Sequence, residues 1–289
     1  MLIDTHAHLN FQAYNGDRNE VIEKSLDNRI WMINVGSNYQ TSQKAVEIAE
    51  KYKKGVYVAV GLHPINIKHN SGFKVYDSKN ENVLEDSFDY EKYKKLTQSP
   101  KVVALGEIGL DYWRKPKTKK KLELFKQKQK EIFLKQLELT KELNLPVIFH
   151  CRMAHQDLIE ILLKNSELKP QRAVAHSFVG SPAELQQYLN FGFYIGFNSI
   201  IFKSIKGISF EENIKLTPLN RILIETDCPF LTPPISVNQR LDQCKSAVVR
   251  NEPLYVKYVA QRIAEIKNIT FEEVAEKTTK NAKKLFKIP

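Results

Sequence analysis

The chain has 289 residues, 42% of them hydrophobic, and a formal net charge of +11. That apolar content excludes a wholly disordered chain, and the length suits one α/β barrel of roughly 250 residues better than a minimal domain. No apolar run reaches the ~20 residues that span a bilayer, and MLIDTHAHLN has neither the basic start nor the apolar core of a signal peptide, so a soluble cytoplasmic protein without a membrane partner is expected.

In chain order, short β-branched and apolar runs fall at residues 2–9, 30–36, 56–62, 102–108, 147–151, 173–177, 194–198 and 222–226. Most are followed by an amphipathic stretch, such as 120–143 after the fourth and 155–164 after the fifth. Alternation of this kind predicts a parallel sheet, and eight units predict its closure into a single (β/α)8 TIM-type barrel spanning 1–289. Two capping boxes mark later helix starts, Ser181-Pro182-Ala183-Glu184 and Thr270-Phe271-Glu272-Glu273. The second opens a terminal helix with Phe271, Val274, Ala275, Ala282 and Leu285 on one side. Residues 66–90 are polar and too long for an ordinary connection, which predicts a surface insertion.

The chemistry is concentrated at the strand ends. His6 and His8 are one residue apart on the first strand, so the two-residue period of a strand points both imidazoles, with Asp4, to one face. In a barrel that face is the interior near the C-terminal mouth. Glu107 closes VVALGE, His150 closes PVIFH, His176 closes AVAH, and Asp227 follows ILIET. An ionisable group ending an apolar run has no packing reason to be there, and unpaired burial costs several kcal/mol, ~2–7 for a polar group. Four histidines and two carboxylates balance poorly as ion pairs. They suit a divalent metal, and a pair of ions better than one.

The other candidates are read singly. Cys151, Cys228 and Cys244 are odd in number and widely spaced, without the pattern of a disulfide framework, a zinc knuckle or a nucleophile. Glu225 has the parity of Asp227 and is expected one layer deeper, in a supporting or a direct role. Asp111 is expected to hold a ligand histidine or to cap a turn. Arg250 is expected to contact phosphate or to pair with Glu252. A net positive charge favours a polyanionic partner, although a Lys- and Asn-rich composition also arises from codon bias. The relevant charge lies in residues 111–121, DYWRKPKTKKK, expected to form a βα loop on the face of the metals; cations beside aromatic rings suit single-stranded nucleic acid.

Taken together, Ile3-Asp4-Thr5-His6-Ala7-His8, Val60-Gly61-Leu62-His63-Pro64, Gly106-Glu107-Ile108-Gly109-Leu110-Asp111, His150-Cys151-Arg152, His176-Ser177-Phe178-Val179-Gly180, Glu225-Thr226-Asp227-Cys228-Pro229 and Arg250-Asn251-Glu252-Pro253 resemble, in order and spacing, the TatD family of metal-dependent deoxyribonucleases, within the amidohydrolase-like barrels. The resemblance implies that His6, His8, Glu107 and Asp227 hold one divalent ion and Glu107, His150 and His176 another, with Glu107 bridging. The ions implied are Mg2+, Mn2+ or Zn2+. It implies that Asp227 also orients or deprotonates water, that His63 faces a substrate phosphate, and that Arg152, Asp111 and Arg250 line the substrate site. The implied reaction is 3′-5′ exonucleolytic hydrolysis of single-stranded or frayed DNA, with DNA the one partner and no obligate protein partner. Ser177 in the His176 motif, Cys228 after Asp227, and Ile65 after His63-Pro64 depart from the family pattern and bear on substrate preference. Two rivals are a barrel amidohydrolase or deacylase, disfavoured by Glu107 where many such enzymes use a carboxylated lysine, and a nucleic-acid-binding protein without catalysis.

Overall fold

The computed structural model describes residues 1–68, 84–234 and 250–289. Strands β1 (Leu2–Ala7), β2 (Ile30–Val35), β3 (Val56–Val60), β4 (Val102–Asp111), β5 (Val147–Arg152), β6 (Ala173–Ala175), β7 (Tyr194–Phe197) and β8 (Ile222–Ile224) pair in parallel, in sequence order. Their side chains are buried almost throughout, as expected of strands covered on both faces. The sheet curls into a nearly closed barrel. Its seam is joined by an Ala7–Cys228 bridge, by His8 N–H donating to the Cys228 carbonyl at 2.9 Å, and by Asp227 N–H donating to the His6 carbonyl at 2.8 Å.

Around the sheet run α1 (Arg18–Asp27), α2 (Tyr39–Ala49), α3 (Tyr90–Leu96), α4 (Lys119–Leu143), α5 (His155–Lys164), α6 (Pro182–Asn190), α7 (Phe210–Leu216), α8 (Val256–Lys267) and α9 (Phe271–Phe286). Both expected capping boxes form. Glu184 N–H donates to Ser181 Oγ at 3.3 Å while Ser181 N–H donates back to the Glu184 carboxylate at 2.7 Å, and Thr270 and Glu273 repeat the arrangement. The end of α9 closes the barrel at its base. Leu285, Phe286 and Ile288 cluster with buried residues of all eight strands, from Ile3 on β1 to Leu223 on β8. Each such side chain contributes ~1.5–3 kcal/mol by leaving water.

Three local expectations are corrected. β4 continues to Asp111 instead of ending at residue 108, because Gln129 on α4 pairs with both backbone groups of Asp111, at 2.8 and 3.0 Å. Gly109 lets that extension lie against β5: its φ is +147° and a Cβ there would stand 2.0 Å from the His150 carbonyl oxygen. Consequently the segment 111–121 is not one loop. Asp111 ends a strand, and Lys119, Lys120 and Lys121 form the first turn of α4. Third, Asp4 does not share the face of His6 and His8. The β1–β2 register shifts between Asp4 and Ala7, which breaks the strand alternation, and Thr226 takes up the Asp4 carboxylate. Of the expected insertion, residues 69–83 lie outside the described part. Its flanks meet, with Lys68 N–H donating to the Glu85 carbonyl and Glu85 N–H to the Asn66 carbonyl, both at 2.8 Å.

Candidate metal centre

Six strand ends deliver the site. His6 comes from β1 and His8 from just after it, His63 from beyond β3, Glu107 from within β4, His150 from β5, His176 from just after β6 and Asp227 from after β8. Ser177 and Asp227 have left-handed φ angles of 45° and 57°. Such conformations cost of order 1–3 kcal/mol in non-glycine residues and persist where neighbours hold them. At Asp227 the restraint is its N–H bond to His6 and the Phe230 N–H bond at 3.0 Å to its carbonyl.

Glu107 lies at the centre. Its carboxylate oxygens stand 2.5 Å from His150 Nδ1, 3.3 Å from His6 Nε2, 3.5 Å from His63 Nε2 and 3.6 Å from His176 Nε2. Asp227 Oδ1 completes the ring at 3.3 Å from His8 Nε2 and 3.9 Å from both His6 Nε2 and His176 Nε2. Every one of the six ligands expected from the sequence is therefore in this ring, and His63 joins them.

The far nitrogen of each imidazole decides what the near one can do. His8 Nδ1 faces the Val35 carbonyl at 2.8 Å and His176 Nδ1 faces the Glu225 carboxylate at 2.8 Å. A neutral ring therefore carries its proton on Nδ1 in both, and Nε2 turns a lone pair to the centre. His150 is the mirror case. Its Nε2 meets Asp111 Oδ2 at 3.0 Å, which leaves Nδ1 toward Glu107. His63 is different. Its Nδ1 accepts the Ile65 N–H at 2.9 Å, so a neutral ring has its proton on Nε2 and presents a donor to the centre instead of a lone pair. His63 thus has metal-ligand distances but the hydrogen-bonding character of a group that faces an anion.

Burial and mutual charge set the electrostatics. For Glu107, burial works to raise the pKa, but the surrounding histidines hold the carboxyl well below its usual range. Burial likewise opposes protonation of His150 and His176, yet their carboxylate neighbours push them up to about 10 and about 9. Burial and the adjacent His176 lower His6 to about 4. Asp227 is held below the usual range by His8, His176 and His6, against its burial.

A divalent cation fits this donor set. Ligand atoms of His6, His8 and Glu107, of His6, His176 and Asp227, and of His63, Glu107 and His150 lie in each case within 4.8 Å of one another. The His6 and His8 Nε2 atoms stand only 3.2 Å apart, and His6 Nδ1 is buried without a hydrogen-bond partner. A buried imidazole with one nitrogen unpartnered and the other among two carboxylates and a second imidazole is the donor arrangement that a divalent cation takes up.

The remaining candidates divide. Asp111 holds His150 and also accepts the Trp113 N–H at 2.9 Å, so it performs both of its expected roles. Glu225 is fully buried and supports His176 and the Ser177 N–H, at 2.8 and 3.0 Å. Arg152 is exposed, with its guanidinium 4.7 Å from the Trp113 ring centroid. Arg250 is bound within the protein, 2.9 Å from Asp17 Oδ1 and 3.6 Å from Glu252, over the Tyr14 ring. Cys151 and Cys228 are buried free thiols, and burial pushes Cys228 up to about 12, which leaves neither reactive; Cys244 lies outside the described residues. The sequence did not show the Val35 carbonyl as the tether of His8 or Gln129 as the clamp on Asp111, since neither residue type carries a site signature.

Comparison with known proteins agrees with this geometry. Residues 3–287 match the family model described as TatD related DNase. The chain is 40% identical over 291 residues to the uncharacterized metal-dependent hydrolase YabD of Bacillus subtilis, covering all of both proteins. It is 31% identical over 293 residues to the 3′-5′ ssDNA/RNA exonuclease TatD of Erwinia amylovora, covering 99% of each. Among solved structures, YjjV, a TatD homologue from Escherichia coli K12, superposes with a TM-score of 0.78 at 25% identity, covering 100% of this chain and 98% of that one.

Proposed function

The chain belongs to the TatD-related DNase family of metal-dependent hydrolases, and from that premise we propose that it cleaves phosphodiester bonds in DNA, as a 3′-5′ exonuclease on single-stranded or frayed ends. The observation that carries the reading is the Glu107 carboxylate ringed by four histidines at the barrel mouth. The polarity and the single-stranded substrate are supported by the name of the E. amylovora relative.

In this reading His6, His8, Glu107 and Asp227 hold one divalent ion and Glu107, His150 and His176 a second, with Mg2+, Mn2+ and Zn2+ the candidates. Such ions supply Lewis-acid charge for the phosphoryl oxygens and lower the pKa of water. Asp227, kept ionised by its histidine neighbours, accepts a proton from the attacking water and holds it in line. His63 donates from Nε2 to a phosphate oxygen, the role its Ile65 contact leaves open. Arg152 offers the fork of donors that pairs with phosphate. Asp111 and Glu225 keep His150 and His176 in place. Arg250 acts on substrate only indirectly, by fixing the segment around Asp17. Incubation with end-labelled single- and double-stranded DNA, and with RNA, with and without chelator, tests the reading. Shortening of the single strand that the chelator abolishes is the expected result.

A further inference from the structure

Beside the candidate metal centre the structure contains a cleft of about 160 Å³, lined by Ile65, Asp111, Trp113, Arg114, Gln129 and Arg152 among others. Two of its walls are bonded directly to the centre. The Ile65 N–H donates to His63, and Asp111 pairs with His150. A third wall is Trp113, an indole 55% exposed although it is among the largest apolar side chains. The Arg152 guanidinium lies 4.7 Å from its ring centroid.

The backbone that carries this indole is held in place. The Trp113 main-chain N–H donates to Asp111 Oδ1 at 2.9 Å, both backbone groups of Asp111 are clamped by Gln129, and the neighbouring Tyr112 main-chain N–H donates to the Arg152 carbonyl at 2.9 Å. Exposure of a ring on so fixed a backbone leaves apolar surface in water, and among the described residues only part of the ring is covered, with the Arg152 guanidinium beside it. A flat aromatic ligand would cover it, and a cation beside the ring suits a ligand carrying phosphate.

We infer that Trp113 and Arg152 form a nucleobase subsite, in which the indole stacks on a base of the strand whose phosphate lies at the metal centre. This rests on the nucleic-acid reading above. It adds a base-recognition element to a centre that otherwise handles only the phosphate and water. Stacking is indifferent to base identity, so the subsite favours the presence of a base without selecting a sequence.

Two measurements on the full-length protein test it. The first compares metal-dependent cleavage of single-stranded oligonucleotides that are intact or abasic at one of the last positions of the 3′ end. For the wild type, one abasic position is expected to lower kcat/KM about tenfold. In Trp113→Ala that penalty falls below about twofold, and Trp113→Phe largely restores it. An equal penalty in wild type and Trp113→Ala overturns the subsite, as does the absence of any penalty in the wild type. The second measurement separates failure of the subsite from failure of the nuclease reading. The chain has two tryptophans, and Trp31 packs at the opposite end of the barrel between Lys54 and Lys283. In Trp31→Phe, in chelator, dAMP is expected to quench Trp113 fluorescence and 2-deoxyribose 5-phosphate to leave it unchanged. Equal responses to the two ligands overturn the subsite whether or not DNA is cleaved; lack of DNA cleavage with any divalent ion overturns the nuclease reading.

Discussion

His150 Nδ1 stands 2.5 Å from Glu107 Oε1, two side chains from adjacent strands separated by 43 residues. Around this pair, in the proposed two-ion centre, Glu107 is common to both halves, whereas His150 belongs to one. Glu107→Ala is therefore expected to abolish activity and remove most bound metal, and His150→Ala to leave one of two ions partly bound. Elemental analysis of the two purified variants checks this. Unchanged metal content in Glu107→Ala is incompatible with a bridging carboxylate.

Support of the histidines is separable from ligation. Glu225 contacts His176 through the nitrogen away from the centre, so Glu225→Gln keeps the ligands and weakens the hold on one of them. Removal of such outer partners typically costs about 10–100-fold in metal affinity or activity. A titration of the metal-free variant should show that loss, with excess metal recovering most of the turnover. Loss of turnover that saturating metal leaves unrepaired would make Glu225 a participant in the reaction.

The fold and the side chains gathered at the barrel mouth were legible in the sequence for a common reason. Burial makes an ionisable residue at the end of an apolar run costly, so His150 and His176 stand out without any structure. Asp4 failed the same logic because a register shift of one position reverses strand parity, and alternation in the sequence carries no mark of it. Asp111 was ambiguous for another reason: whether a residue ends a strand or starts a loop depended on Gln129, a partner 18 residues away on α4. The orientation of His63, which separates a donor from a ligand, depends on a single N–H of Ile65.

Protons compete with metal at this centre. Against the effect of burial, carboxylate neighbours raise His150 to about 10 and His176 to about 9, so both are charged at pH 7.5 without metal. Loading should then release roughly two protons, and metal affinity should rise with pH through this range. Calorimetry in buffers of different ionisation enthalpy reads the release. The sign for stability follows from the same shifts. A raised histidine pKa stabilises the metal-free fold fully below the unfolded value near 6.5, and this contribution is lost as pH climbs through 9 and 10. The melting temperature of chelated protein should fall between pH 7 and 10. A flat or rising trend would contradict the assignment.

Lys119, Lys120 and Lys121 open α4 without an acidic residue in its first turn, and Thr118 makes no side-chain cap bond. Three cations at a helix N-terminus oppose its dipole, so helix stability does not account for them. Their replacement by alanine is expected to weaken binding of single-stranded DNA and to flatten the log–log salt dependence by ~0.7 for each phosphate that the protein no longer neutralises, with little change in turnover at saturating DNA. An unaltered slope would assign the run to solvent alone.

Whether the Glu107 centre is a metal-dependent nuclease is tested most directly by the cleavage of 5′-labelled single-stranded DNA by metal-stripped protein reloaded in turn with Mg2+, Mn2+ and Zn2+, with Glu107→Ala in parallel. The expected result is a ladder shortening one nucleotide at a time from the 3′ end, present with at least one ion and absent from the stripped protein and from the variant. Intact DNA with every ion, together with metal-dependent release of amine from small acylated substrates, would contradict it and place the chemistry at an amide bond.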